Sequence, residues 1–72
     1  MPKLPRDVTH DRLVRFLRRH DWVVAREGGR HTIVSKAGVQ VAVPRHAVLK
    51  VGTLAAILRQ TGPWDDETLR DL

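Results

Sequence analysis

The sequence predicts an α+β fold, a two-layer sandwich with two helices on one face of a three-stranded antiparallel sheet. Leu13, Phe16 and Leu17 recur at helical spacing. From Trp22 to Val43 the pattern shortens to alternation, with Val23, Val24, Ile33, Val34, Val39, Val41 and Val43 supplying β-branched residues. Val51, Leu54, Ile57 and Leu58 then restore helical spacing. The order is α-β-β-β-α with a short C-terminal helix, and two apolar helical stripes are most simply buried on a single apolar sheet face.

The first helix is expected at about 10–20. Thr9 is placed to cap it, Asp11 lies in its first turn against the dipole, and Val8 can staple onto Leu13. Leu13, Phe16 and Leu17 face the core with Val14 beside them, while Arg12, Arg15, Arg18 and Arg19 fall mostly on the other side. That arginine row reads either as a track for a phosphate backbone or as the wet face of the helix. His10 and His20, which flank the helix, are read as exposed.

Gly28-Gly29 and Ala37-Gly38 punctuate the alternating region into a three-stranded meander. Adjacent glycines take positive φ without steric cost, so a two-residue primed turn fits at Gly28-Gly29, between strands 22–27 and 30–36. With two-residue turns at both places, Ala25 pairs with Thr32, Val23 with Val34, Val34 with Val41 and Thr32 with Val43, and these form the buried face. The opposite face then carries Arg26, His31, Ser35 and Gln40, with Trp22, Val24, Ile33 and Ala42 among them. His31 lies one residue into the second strand, across from Arg26, on a polar face studded with apolar groups that suggests contact with a partner.

Pro44 ends the third strand because it has no N–H to donate. Arg45-His46-Ala47-Val48-Leu49-Lys50 is a basic connection, and the second helix runs from about Val51 to Thr61, stopped by Gly62-Pro63. Its apolar stripe is Val51, Leu54, Ile57 and Leu58. One more short helix follows, capped by Asp65, with Trp64 and Leu69 as a candidate staple.

Seventy-two residues without linker, repeat or low-complexity segment read as a single domain spanning 1–72. No cysteine is present, which removes disulfides, zinc ribbons and thiol catalysis and agrees with a reducing, cytoplasmic setting. The apolar runs are too short for a membrane span, and Met1-Pro2-Lys3-Leu4-Pro5 lacks a hydrophobic leader. Net charge is +5 but uneven: residues 1–62 hold twelve basic and four acidic side chains, or +8, and residues 63–72 hold one and four, or −3. Ten of the thirteen basic residues are arginine, whose planar fork suits phosphate oxygens and so favours an acidic partner.

Histidine titrates nearest neutrality of all side chains, so His31 beside Arg30 suits phosphodiester chemistry; a structural or solvated histidine is the alternative. The acids of the body, Asp7, Asp11, Asp21 and Glu27, stand singly, so a two-metal nuclease site is not expected, and neither metal nor cofactor is called for.

Double-stranded-RNA-binding domains share this element order. Gly29-Arg30-His31 after a Trp22-led strand, then Val43-Pro44-Arg45-His46, then Gly52-Thr53-Leu54 with Ile57-Leu58-Arg59-Gln60 before Gly62, together resemble the HicA family of small bacterial toxins over about residues 8–70. The resemblance implies a double-stranded-RNA-binding-like fold, cleavage of mRNA as an mRNA interferase, and neutralisation by a HicB antitoxin encoded alongside. It also implies that His31 is the catalytic histidine. Arg30 stands where many members have serine, and its guanidinium is suited to holding the scissile phosphate. Arg26, Arg45 and Lys50 are candidate phosphate contacts. His46 is the first candidate for a second proton-transfer group, or else a capping or solvated loop histidine. The rival readings are a non-catalytic RNA-binding module and a basic protein-interaction domain.

Overall fold

The computed structural model describes residues 4–72; of the stretch Met1-Pro2-Lys3-Leu4-Pro5, expected to hold no leader, the first three residues lie outside that range. The elements are α1 (His10–Arg19), β1 (Val23–Gly28), β2 (His31–Lys36), β3 (Val39–Pro44), α2 (Val51–Thr61) and α3 (Asp66–Leu69). The strands form one antiparallel sheet in the order β1-β2-β3. This is the expected α+β architecture.

Local chemistry accounts for the helix ends. The Thr9 side chain accepts from the Arg12 N–H at 3.1 Å, capping α1, with Asp11 in the first turn and Arg18 and Arg19 in the last. Asp65 caps α3 by accepting from the Thr68 N–H at 2.7 Å. Hydrogen bonds from the Thr68 side chain and backbone hold the Asp65 carboxyl below its ordinary range. α2 stops at Gly62, where an added Cβ would lie 2.9 Å from both the Leu58 carbonyl oxygen and the Trp64 nitrogen. Only glycine fits so close an approach.

One face of the sheet carries the core: Thr32, Val34, Val41 and Val43 are buried beneath Leu13, Phe16, Leu17, Leu54, Ile57 and Leu58. Val51 is exposed rather than part of the α2 stripe; Leu49, just ahead of the helix, is buried instead, its N–H bonded to the Val8 carbonyl at 2.8 Å. His20 is half-buried against Phe16 and Trp64, with ring centroids 4.8 and 5.2 Å away.

The β2–β3 register is the expected one, including Val34 opposite Val41 and Thr32 opposite Val43. The β1–β2 register differs in two ways. The turn is Gly29-Arg30, one residue later than Gly28-Gly29, so Gly28 lies opposite His31 and Arg26 opposite Ile33. Gly29 takes φ +59° while Arg30 stays out of the left-handed region, the pattern of a II′ turn, which asks for glycine only at its first position. The register then shifts between Val24 and Arg26, leaving Ala25 as an extra residue, so that Val24 pairs with Val34 and Val23 with Ser35. The shift inverts the start of β1. Trp22 is buried and Val24 packs on the core, whereas Val23 is 59% exposed and Ala25 is open to solvent. The expected apolar cluster of Trp22 and Val24 on the outer face therefore does not exist; Ile33 and Ala42 remain there.

His10 is buried, not exposed. Its Nδ1 lies 2.8 Å from Asp11 Oδ1 and its Nε2 lies 2.7 Å from Thr32 Oγ1. A carboxylate only accepts, so Nδ1–H donates to Asp11, while Nε2 and the Thr32 hydroxyl, which can each donate or accept, share the second bond. Thr32 is fully buried in the central strand, and this bond satisfies its hydroxyl while tying α1 to β2. His10→Ala should cost roughly 1–3 kcal/mol by leaving that hydroxyl unpaired. Adding Thr32→Val to it should recover part of the loss, because the orphaned group is then gone. Urea unfolding of both proteins measures this; a double variant no more stable than His10→Ala contradicts the assignment.

Candidate active site

Strand alternation decides what His31 faces. Thr32 and Val34 point into the core, so His31, Ile33 and Ser35 point out. His31 opens the central strand and is exposed, with Gly28 opposite it on β1 and Pro44 opposite it on β3. Neither neighbour raises a long side chain over the imidazole. The next outward row is Arg26, Ile33 and Ala42, and the one beyond it is Val23, Ser35 and Gln40. No outward-facing residue of the sheet is acidic; Glu27, the one carboxylate in the strands, pairs with Thr32 and so belongs to the other side.

Arg30 adjoins His31 in the turn, and the Arg45 N–H donates to the Arg30 carbonyl at 2.9 Å, extending the ladder past Pro44. The β3–α2 connection is thus held beside the hairpin tip. Arg30, His31 and Arg45 come together at one end of the sheet, all exposed. Arg26 shares the outward face of His31 but sits diagonal to it rather than opposite it. His46 and Lys50 are exposed on the connection, Lys50 as the residue before α2, and among the described residues no hydrogen bond joins either to His31. Also among the described residues, no three His, Cys, Asp or Glu side chains gather as a metal site needs.

The arginines of α1 divide into two groups. Arg12 donates to the main-chain oxygen of Leu72 and Arg19 to that of Asp71, the latter at 2.9 Å. Arg15 and Arg18 are exposed and make no such bond among the described residues. Half of the row is therefore a clamp on the C-terminal segment, where Leu72 is buried. His10 is the residue that sequence reasoning missed. Its signal was its place three before Leu13 and four before Val14, on the buried stripe.

A family model described as HicA toxin of bacterial toxin-antitoxin matches residues 11–62. The chain belongs to the HicA toxin family. The matched span runs from the start of α1 through α2 and includes the His31 end of the sheet. Comparison with curated proteins returns no match. Membership makes this HicA-family chain the toxin half of a toxin-antitoxin system, which implies an antitoxin as its partner. No helix among the described residues is long and apolar enough to cross a membrane.

The clamp predicts a split among the α1 arginines of this HicA-family fold. Arg12→Ala and Arg19→Ala should each lower stability by about 0.5–1 kcal/mol, and Arg15→Ala should stay within about 0.5 kcal/mol of the parent. Urea midpoints measure the difference, and equal effects at all three positions contradict the clamp.

Proposed function

We propose that this HicA-family toxin is a metal-independent endoribonuclease, an mRNA interferase, with His31 as its catalytic residue and a HicB-like antitoxin as its inhibitor. The whole chain, 1–72, acts as one domain in the cytoplasm. The observation that carries the reading is the setting of His31: exposed at the end of the central strand, between a glycine and a proline, with arginines on both sides in the adjoining loops.

RNA carries its own nucleophile. Cleavage requires that the 2′-OH lose its proton as its oxygen attacks the adjacent phosphorus, that charge on the phosphorane be stabilised, and that the departing 5′ oxygen gain a proton. His31 takes one of the two proton-transfer roles. Arg30 and Arg45, next to it in the turn and the connection, hold the phosphate oxygens by charge-assisted hydrogen bonds. Arg26 and Lys50 serve as more distant backbone contacts. His46 is the first candidate for the other proton transfer, reaching the site through movement of its exposed loop. The acids of the body, Asp7, Asp11, Asp21 and Glu27, stand singly in the sequence, which supports the metal-independent reading over a two-metal one.

The antitoxin is most simply a protein that presents carboxylates to the same cationic end and covers the histidine. Complementary charge of that kind speeds encounter.

His31 fills no core position, so His31→Ala should keep the parent's circular dichroism and unfolding midpoint while RNA cleavage falls by at least the hundredfold usual for a lost acid–base group. Excess EDTA should leave the parent's cleavage unchanged. A folded variant that cuts at the parent rate removes His31 from the mechanism. A parent that binds RNA and never cuts it returns the chain to the non-catalytic RNA-binding reading.

A further inference from the structure

We infer that the outer sheet face beside His31 contains a nucleobase subsite, a shallow depression of about 260 Å³ lined by Ala25, Arg26, Ile33 and Gln40. It receives the base of a nucleotide adjoining the phosphate at His31, so that this face, and not the loops alone, sets which RNA sequences are held. The inference rests on the proposed RNA substrate for its class of ligand.

The depression exists because of the displaced register. The extra residue at Ala25 brings a small side chain to the surface of β1, and Arg26 stands across from Ile33 instead of over His31. Ile33, half-buried, makes an apolar floor at the centre of an otherwise open face. It lies two residues along β2 from His31, about 6.5 Å at the usual strand rise. That is near two steps of a base stack at about 3.4 Å each, so a nucleotide neighbouring the phosphate at His31 reaches it. Gln40 is exposed at the rim, and among the described residues its amide makes no hydrogen bond within the protein. An amide both donates and accepts, which is what the edge of an unpaired base offers in return. Arg26 on this face without carboxylates, with Arg30 and Arg45 exposed in the turn and connection at its His31 end, favours a polyanion over an uncharged apolar partner. The floor must meet the flat face of a base, so the RNA bound here is single-stranded.

The test uses the full chain and 2′-O-methyl hexanucleotides of the four homopolymer sequences, which lack the free 2′-OH and stay intact whatever the catalytic residue. NMR of the Ile33 methyl and the Gln40 side-chain amide reports the depression directly, and titrations of the parent, Gln40→Ala and Gln40→Glu report selectivity. We expect both signals to shift on binding and the four affinities to differ. Gln40→Ala should narrow their spread by about three- to tenfold, and Gln40→Glu should change their order. Spectral dispersion confirms that each variant is folded.

Binding that leaves the Ile33 and Gln40 signals still, an unaltered spread in Gln40→Ala, or no binding by any oligomer overturns the subsite. So does a result in which the antitoxin shifts these signals and no RNA does, since the face is then a protein surface. Cleavage by a parent whose depression stays silent removes the subsite alone. Shifts at the depression of a parent that cuts nothing leave the subsite standing and remove the cleavage reading.

Discussion

The bond between His10 and Thr32 is the constraint on which the candidate site depends. A threonine hydroxyl buried at the centre of a sheet is tolerated only with a partner, and the imidazole at the start of α1 is that partner. Its net contribution is about 1 kcal/mol, yet leaving it unmade costs more, so it discourages every arrangement in which Thr32 faces water or α1 slides along the sheet. Because side chains alternate with period two, fixing Thr32 inward fixes His31 and Ile33 outward. A buried polar pair on one face thereby orients a solvent-exposed histidine on the other.

The two faces of the molecule divide the chemistry. The helical side holds the aliphatic core, the Phe16, His20 and Trp64 cluster and the acidic C-terminal segment, drawn in by Arg12 and Arg19. The outer sheet face carries Arg26 with no carboxylate beside it and presents small residues around His31. For a HicA-family toxin this layout separates two sets of cations: main-chain oxygens of the tail engage arginines that serve the fold, and those near the histidine stay available for a partner.

Much of this was legible in the sequence, and the failures have physical causes. Thr9 and Asp65 as caps, the end of α2 and the β2–β3 register follow from strong local signals: a capping oxygen at the starts of α1 and α3, a proline after the stop of α2, and clean alternation through Val39, Val41 and Val43. The β1–β2 hairpin was harder, because Gly28, Gly29 and Arg30 allow two adjacent two-residue turns, and a shift of one residue in the turn slides the pairing by two. Val23-Val24-Ala25 is apolar at every position, so alternation could not reveal the bulge that sends Trp22 and Val24 inward. Val51 continues the helical pattern of α2 but stands at its exposed first turn, where periodicity ceases to imply burial. In the candidate site, the gathering of Arg30, His31 and Arg45 was foreseeable from the hairpin and Pro44. The offset of Arg26, which opens the depression over Ile33, required the one-residue shift of the turn, and the exposure of Ala25 at its edge required the bulge.

The central claim is that the RNA's own 2′ oxygen does the bond-making and the protein supplies His31 for proton transfer. The nature of the cut ends tests it most directly. RNA digested by the parent protein, analysed by mass spectrometry of the fragments, should carry 2′,3′-cyclic phosphate and 5′-hydroxyl termini, and a single 2′-deoxy substitution at the cut position should abolish cutting there. Fragments ending in 3′-hydroxyl and 5′-phosphate, or undiminished cleavage at the deoxy position, contradict the account, since water and not the 2′-OH would then be the nucleophile.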